Sequence, residues 1–359
     1  MTSKFFQLLR FSIDASQPAP ENITGDDWPE LFRMAKEQNL QGVIFYGIRR
    51  LPKDCLPDKE LTMKWFAISR KIATLNTKVN VNAAKVSDTF KQKGLRTCLL
   101  KGQGNALLYP DPYMRTPGDI DIWAEGGYRK VMKLMGHLAP GYKRCYHHTD
   151  FPPYGGTTVE VHYRPQFMNN LISNARLQEY FNRNADAQFS NIAQLPDGAG
   201  SIAVPTAAFN RIYQMAHISN HFFHEGIGLK QLLDYYYVLR QGFTAEEQEA
   251  DTRTLKHCGL YKMATAVMYV MQKVFWLDDK YLIVKSDERL GKFLLNEIML
   301  SGNFGFYDKR LDKYRGSQLK KNIQRLVRDA RFMLIFPGES LWEPVFRLYH
   351  FFWRRAARY

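Results

Sequence analysis

The chain has 359 residues, of which 45% are hydrophobic and 14% aromatic, so it is long and apolar enough for two or three compact units. This composition excludes a chain dominated by disorder. The 50 basic residues outnumber the 35 acidic ones and leave a net charge of +15, which favours a polyanionic partner. A nucleoside triphosphate, RNA and an anionic membrane surface all fit that description, and charge alone does not choose among them.

The cysteines and the N-terminus indicate the compartment. Four widely spaced cysteines without C-x-x-C spacing argue against a disulfide framework or zinc finger and favour a reducing, cytoplasmic setting: Cys55, Cys98, Cys145 and Cys258. The apolar N-terminal stretch is interrupted by Arg10 and lacks a small-residue cleavage site, so it predicts an amphipathic helix rather than an export signal. No apolar run approaches the roughly 18 residues of a membrane-spanning helix.

Hydrophobic periodicity predicts an N-terminal helical region over residues 1–93, with helices at 5–13, 28–50 and about 59–93. Residues 94–205 alternate between strand and helix and form the predicted α/β core. This core has a buried strand at 96–100, short and long helices at 105–109 and 127–138, and adjacent strands at 141–148 and 157–163. Residues 206–359 are predicted to be a C-terminal helical region, preceded by a short strand pair near 201–204.

The most informative segment carries Asp119 and Asp121 one residue apart on an alternating apolar stretch. Successive side chains of a strand point to opposite faces, so the two carboxylates are expected to share one face. Like charges held so close favour a divalent cation between them, and Mg²⁺ prefers carboxylate oxygens. The alternative is a surface turn or calcium loop, in which Asp-x-Asp after glycine is common.

A later segment, TTVEVHYR at 157–164, alternates in the same way and places Glu160 and His162 on one face. Glu160 is the candidate third carboxylate of a site that holds two metal ions roughly 3.5–4 Å apart for displacement at phosphorus. Two interpretations of Glu160 stay open: it is a metal ligand, or it is an ordinary polar residue on the solvated face of a half-buried strand. His162 on the same face can simply pair with a neighbour.

A glycine-containing turn, Lys101-Gly102-Gln103-Gly104, lies between the first strand and a short helix. Glycine lets the backbone approach a phosphate closely, and the first N–H groups of a helix carry partial positive charge. Lys101 and Arg115 add positive charge nearby. A lone Gly-x-Gly is also an ordinary turn.

These motifs occur in the order Lys-Gly turn, Tyr-Pro-Asp-Pro at 109–112, Arg-x-x-Gly-Asp-Ile-Asp-Ile at 115–122 and Val-Glu-Val-His-Tyr at 159–163. The order resembles the bacterial uncharacterised nucleotidyltransferase family within the DNA polymerase β-like superfamily, and the resemblance covers most of residues 20–240. It implies that Asp119 and Asp121 bind Mg²⁺ or Mn²⁺ with Glu160 as the third acid. It also implies that a nucleoside triphosphate such as ATP meets the residues of the turn and the two basic side chains: Lys101, Gly102, Gln103, Gly104 and Arg115.

One departure from the wider superfamily concerns the turn, where Gln103 follows Gly102 in place of the usual serine or glycine. His217 and His221 share a helical face at i and i+4, while His224 lies off it; packing or a substrate contact is favoured there over zinc binding. Lys230 and Asp234 have the same spacing and are interpreted as an ordinary surface pair or as part of a helix against the site.

The basic C-terminal part offers two segments. Residues 308–331 are predicted to form a basic amphipathic helix with a solvated face. Residues 346–359 mix aromatic side chains with arginines, which is typical of membrane-interface helices, of some nucleic-acid contacts, and equally of a helix that docks its aromatics on the core.

The sequence therefore predicts an α+β protein with a small mixed-sheet nucleotidyltransferase core between N-terminal and C-terminal helical regions. The predicted activity is metal-dependent transfer of a nucleoside monophosphate from a nucleoside triphosphate to the hydroxyl of an unidentified acceptor, which could be a small molecule, a sugar, RNA or a protein. Two alternatives stay open: a non-catalytic nucleotide- or RNA-binding protein of the same fold, and a membrane-surface accessory protein of surface-polysaccharide synthesis.

Overall fold

The computed structural model describes residues 1–310 and 330–356. The N-terminal helices are α1 (Thr2–Ile13), α2 (Trp28–Glu37), α3 (Gln41–Ile48) and α4 (Lys59–Gln92). The central elements are β1 (Thr97–Leu99), α5 (Gln103–Ala106), β2 (Ile120–Ala124), α6 (Gly127–Leu138), β3 (His148–Tyr154), β4 (Thr157–His162), α7 (Leu171–Arg183), α8 (Ala185–Ser190), β5 (Ile192–Gln194) and β6 (Ser201–Ala203). The C-terminal helices are α9 (Ala207–His224), α10 (Leu229–Arg240), α11 (Ala245–His257), α12 (Tyr261–Phe275), α13 (Glu288–Ser301), α14 (Pro337–Ser340) and α15 (Glu343–Ala356).

The predicted α+β class with a small mixed sheet is confirmed. Four strands lie in the order β1-β2-β4-β3, in which only the β2–β4 pairing is parallel. The predicted strand pair near 201–204 is also present, as the antiparallel β5 and β6. The predicted helix at 127–138 coincides with α6, and the long helix predicted at about 59–93 is α4, whose first turn is capped by Asp58.

The single helix predicted over residues 28–50 is wrong, because the chain breaks between α2 and α3. Asn39 at the break has φ of 56°, a left-handed conformation that asparagine tolerates better than most residues. The preceding Gln38 is buried, and its amide donates to the carbonyl oxygen of Ile298 and accepts from the N–H of Leu229. The break thus gives α13 and α10 a buried polar contact that a continuous helix would not present.

The strand predicted at 141–148 is also misplaced, since β3 begins only at His148 and runs through Pro152 and Pro153. Proline donates no N–H to a sheet, so it is tolerated where a strand lies at the edge or is irregular. β3 is an edge strand, and its pairing with β4 shifts register between Phe151 and Tyr154. The short helix predicted at 105–109 likewise begins earlier, as α5.

One face of the sheet is apolar and one is polar. The apolar face is formed by Ile120, Ile122, Val159 and Val161, which are almost fully buried and pack in one cluster with residues of α4 and α6. On the opposite face Trp123 stacks on the ring of Phe209 in α9. The polar side chains that alternate with the apolar ones therefore face toward the C-terminal helices.

A second and larger hydrophobic cluster joins all three predicted regions. It includes Phe5 and Trp65 from the N-terminal helices, Trp123 from the sheet, and Tyr213 and Leu232 from the C-terminal helices. The region boundaries at 93/94 and 205/206 stay predictions, but a shared core fixes the regions against one another around the polar face of the sheet.

The predicted basic helix at 308–331 lies for its larger part outside the described residues. The last helix, α15, docks Phe346 and Trp353 against Tyr146 and leaves Leu348 and Phe352 exposed. Its aromatics thus divide between core packing and the surface. Over residues 1–310 and 330–356, no helix combines the length and apolar character needed to cross a bilayer.

Candidate active site and cation-binding residues

Three carboxylates lie in one row across three neighbouring strands. Asp121 on β2 is directly opposite Glu160 on the parallel strand β4, and Glu160 is in turn opposite Asp150 on the antiparallel strand β3. Because directly opposite residues of adjacent strands point to the same face, the register itself brings these side chains together. The predicted proximity of Asp121 and Glu160 is confirmed.

A second row, two residues further along β4, carries histidines. His162 is opposite His148 of β3, and His147 lies just before that strand. The Nε2 atom of His162 lies 3.1 Å from Oδ1 of Asp121 and 3.4 Å from Oε2 of Glu160, and Nδ1 of His148 lies 3.6 Å from the same Glu160 oxygen. The carboxylates and the imidazoles therefore form one continuous polar cluster.

Three sets of potential metal ligands with donor atoms within 4.8 Å of one another occur in the described part of the chain: Asp121, Glu160 and His162; His148, Asp150 and Glu160; His147, His148 and His162. One oxygen of the first set, Oδ2 of Asp121, is buried and has no hydrogen-bond partner. A buried carboxylate oxygen without a donor is costly, and a cation would satisfy it. This donor set thus fits a divalent ion.

Asp119 lies one residue before β2 and is partly exposed. It belongs to none of those three ligand sets, although its charge acts on Lys101 and Arg115. Its position beside the start of the strand keeps it near the cluster. A metal-ligand role for Asp119 stays a prediction.

Lys101 lies over the cluster from the end of β1, with Nζ 3.2 Å from Oδ1 of Asp121. The following residue, Gly102, has φ of 62° and ψ of −117°, a conformation that L side chains rarely adopt. A Cβ at this position would also lie 3.5 Å from the backbone oxygen of Asp119. Glycine therefore allows the turn to bring Lys101 and the backbone against the start of β2.

The charges of the cluster stabilise one another. Burial opposes ionisation of Asp121, but the nearby Lys101 and the hydrogen bond from His162 hold its pKa below the usual range. Burial likewise opposes ionisation of Glu160, and contact with His162 lowers its pKa to about 2. Burial disfavours the imidazolium of His162, yet the two carboxylates raise its pKa to about 9. At neutral pH the structure therefore holds two anions and two cations here.

The other two residues of the turn, Gln103 and Gly104, pack against neighbouring elements of the fold. The side-chain amide of Gln103 is buried and donates to the side-chain oxygens of Asn76 and Asn80 on α4. A Cβ on Gly104 would lie 3.1 Å from the side chain of Val204. Gln103 would therefore contact a phosphate through its backbone, whereas the N–H of Gly104 already donates to the carbonyl oxygen of Lys101.

Arg115 is buried and occupied by an acidic partner. Its Nε and Nη2 atoms donate to the two carboxylate oxygens of Asp234 at 2.8 and 2.7 Å, and the hydroxyl of Tyr109 donates to the same carboxylate at 2.6 Å. Burial opposes the charge of Asp234, but Arg115 holds the pKa of that carboxyl below its usual range. The pair ties the segment ahead of β2 to α10.

The interpretation of Lys230 and Asp234 as a surface pair is wrong. Both residues are buried, with only 8% and 4% of their surfaces exposed, because α10 packs against α5 and the core. Burial, followed by the charge of Arg115, lowers the pKa of Lys230 to about 7, and Asp119 acts in the opposite direction. Lys230 is thus a buried amine close to the candidate site that the sequence spacing alone did not identify.

Two histidines of α9, His217 and His221, lie close enough to the polar cluster for its charges to act on His217. His217 is buried, its ring centroid is 4.3 Å from that of His221, and its Nδ1 atom lies 3.4 Å from the amide nitrogen of Gln166. Burial and then the charge of Lys101 lower the pKa of His217 well below its usual range. Packing near the site agrees with these contacts, and His224 hydrogen-bonds the backbone of its own helix at Asn220.

The sequence reasoning did not identify His147, His148 and Asp150 as site residues. The signal was present, because the His-x-Asp of β3 and the Glu-x-His of β4 are complementary polar alternations. The strand predicted at 141–148 ends where β3 begins, so the prediction left Asp150 outside the strand and did not pair it with Glu160.

A cavity of about 530 Å³ lies elsewhere, between α6 and the start of β3. It is lined by residues such as Tyr128, Met132, Tyr142 and Thr149 and by no predicted site residue. Thr149 points away from the face that carries His148, since neighbouring strand residues alternate. We therefore locate the candidate chemistry at the polar cluster and not in this cavity.

The model of a protein family described as uncharacterised nucleotidyltransferase matches residues 24–276. That span includes the turn, both aspartates, Glu160, the histidine row and α10. Among solved structures, the chain is similar to an antigenic nucleotidyltransferase-like protein from Paracoccidioides brasiliensis, with 12% identity, a TM-score of 0.34, and coverage of 61% of this chain and 95% of that chain. No curated protein matches the chain.

Proposed function

Because the chain belongs to the uncharacterised nucleotidyltransferase family, we propose that it transfers a nucleoside monophosphate from a nucleoside triphosphate to an acceptor hydroxyl. The observation that carries the proposal is the register of β2 against β4, which holds Asp121 and Glu160 side by side on the polar face. The buried Oδ2 of Asp121, which has no hydrogen-bond partner, supports the proposal that a cation binds at this pair.

Asp121 and Glu160, with Asp119 at the start of β2, would hold Mg²⁺ or Mn²⁺. When bound, such ions neutralise phosphate oxygens and lower the pKa of an attacking hydroxyl. In the reaction the acceptor oxygen forms a bond to the α-phosphorus, the bond from that phosphorus to the β-phosphate bridging oxygen breaks, and pyrophosphate leaves. We propose that one of the three carboxylates, those of Asp119, Asp121 and Glu160, accepts the proton of the acceptor hydroxyl.

The chain's own basic groups would bind the triphosphate. Lys101 extends over the cluster, and the turn would offer the backbone N–H groups of Gly102 and Gln103 beside it, since the N–H of Gly104 already donates to the carbonyl oxygen of Lys101. Lys230 is a second amine at this place, and a phosphate anion would favour its charged form. Arg115 is already paired with Asp234, so we propose that it positions the segment before β2 and adds to the positive potential without leaving its partner.

Binding of a nucleotide without turnover is the second candidate, and one observation favours it. Lys101 and His162 already place positive charge against Asp121, so the chain itself neutralises the carboxylate that a catalytic metal ion would bind. The membrane-surface alternative is favoured by the exposed Leu348 and Phe352 of α15. The cytoplasmic location inferred from the cysteines and the bacterial origin implied by the resemblance stay predictions.

The test is calorimetric titration of each nucleoside triphosphate with Mg²⁺ or Mn²⁺, followed by measurement of pyrophosphate release with candidate acceptors. Asp121→Asn removes the charge without changing the shape, and we expect it to lose metal-dependent binding and all pyrophosphate release. Asp186→Asn, at an exposed surface carboxylate, is the matched control and should behave like wild type. Full metal-dependent release by the Asp121 variant would refute the proposal, whereas nucleotide binding with no release from any acceptor would favour the binding protein.

A further inference from the structure

The histidine row contains more nitrogen donors than a magnesium site uses. Mg²⁺ takes oxygen ligands in octahedral geometry, whereas imidazole nitrogen suits Zn²⁺, Co²⁺ and related ions. Here three imidazoles, from His147, His148 and His162, have donor atoms within 4.8 Å of one another. Glu160 contacts two of them. A purely oxygen-liganded ion at Asp121 gives these nitrogens no role as ligands.

The spacing of the imidazoles fits a tetrahedral ion with three protein ligands and one open position. Nε2 of His147 lies 3.0 Å from Nδ1 of His148, and a donor atom of His162 completes a set within 4.8 Å. Bonds of 2.0–2.1 Å from zinc to nitrogen in a tetrahedron place neighbouring ligand atoms roughly 3.3 Å apart. The separation between His147 and His148 is close to that value.

The positions of these side chains are fixed by the fold. His148 and His162 are directly opposite each other on β3 and β4. The carbonyl oxygen of His147 accepts hydrogen bonds from the N–H groups of Tyr163 and Arg164, so the residue is held at the end of the sheet although it lies outside β3. Donors held on rigid elements before an ion arrives lose little conformational entropy on binding it.

We propose that His147, His148 and His162 form a binding site for a divalent transition metal ion of the Zn²⁺ type, beside the carboxylate pair Asp121 and Glu160. Glu160 contacts both His148 and His162, so this site would border the proposed nucleotide site. The inference concerns cation binding alone and stands whether or not the chain transfers nucleotides.

The test uses the full chain without an affinity tag and without nucleotide. Zn²⁺ is titrated in the presence of a large excess of Mg²⁺, and Co²⁺ binding is followed by visible absorption, which is intense for tetrahedral and weak for octahedral coordination. We expect one equivalent of Zn²⁺ to bind despite the Mg²⁺ and the Co²⁺ spectrum to be tetrahedral. Failure to bind Zn²⁺ in the presence of the Mg²⁺, or an octahedral Co²⁺ spectrum, would overturn the proposal.

His148→Ala removes the imidazole that contacts both His147 and Glu160. We expect this substitution to weaken Zn²⁺ binding by at least about 100-fold. Removing a residue that only hydrogen-bonds a metal ligand already costs up to about 100-fold in affinity, and His148 would be a ligand itself. His137→Ala, at an exposed histidine of α6, is the matched control and should bind like wild type. Equal affinity of the His148 and His137 variants would overturn the assignment.

Asp119→Asn separates this site from the nucleotide site. We expect this variant to keep its Zn²⁺ affinity within about threefold while it loses metal-dependent nucleotide binding. If it lost zinc and nucleotide together, the ion would belong to the aspartates and the histidine site would be refuted. The Co²⁺ spectrum of wild type needs no substitution, so the proposal remains testable if a variant fails to fold.

Discussion

The buried pair of Arg115 and Asp234 joins the loop ahead of the aspartate strand to α10, and its removal should destabilise the whole fold. Asp234→Asn keeps the shape of the side chain but removes its charge. The guanidinium of Arg115 is then left buried with a neutral partner, and the hydroxyl of Tyr109 faces an amide. Breaking a buried ion pair by removing one partner costs about 3–5 kcal/mol.

The measurement is the free energy of unfolding in urea, which does not screen charges, followed by tryptophan fluorescence. The matched control is Asp186→Asn, whose side chain is 90% exposed and pairs with Arg96 at the surface. A surface pair contributes about 0–1 kcal/mol, so the two identical substitutions should differ by about 2 kcal/mol or more. A double variant, Arg115→Met with Asp234→Leu, should recover most of the lost stability because no charge is left unpaired.

The pH dependence follows from the direction of the pKa shift. The pKa of Asp234 is lower in the folded chain than in the unfolded one, so its contribution is present above the unfolded value of about 3.9 and is lost as the pH falls through the folded value. The difference between wild type and Asp234→Asn should therefore shrink as the pH falls below about 3.9. A loss within 1 kcal/mol of the Asp186 control at pH 7 would refute the reasoning.

Three further outcomes follow from single residues. Gly102→Ala forces a side chain into a conformation with φ of 62°, at a cost of about 1–3 kcal/mol, and calorimetry should show weaker nucleotide binding; unchanged affinity would contradict the role of the turn. Gly47→Ala should cost about 1–3 kcal/mol in urea because its Cβ would overlap the hydroxyl of Ser12, whereas Gly25→Ala, in open space, should cost less than 1 kcal/mol. Lys230 has a pKa lowered to about 7, so the unfolded state binds more protons above that pH and stability should rise from pH 7 toward pH 10; Lys230→Met should abolish this rise, and an unchanged slope would contradict it.

Much of the fold was predictable because it depends on local periodicity. The alternation around Asp121 and around Glu160 predicted two strands with a polar and an apolar face, and α4 and α6 were predicted by their helical spacing. The break at Asn39 was not predictable in this way, because residues 28–50 are apolar enough to continue as a helix. It depends on a buried glutamine that bonds to helices almost 200 residues or more away in sequence.

The sequence by itself determined that Asp121 and Glu160 each lie on the polar face of a strand, because the period of a strand is two residues and does not depend on its neighbours. Only the tertiary structure decided that the two strands are adjacent, parallel and in register, and that β3 adds Asp150 and His148 to the same rows. It also decided that Arg115 binds Asp234 across 119 positions of the chain. Strand order, register and ion pairing are set by which distant elements share a core, and no local pattern contains that information.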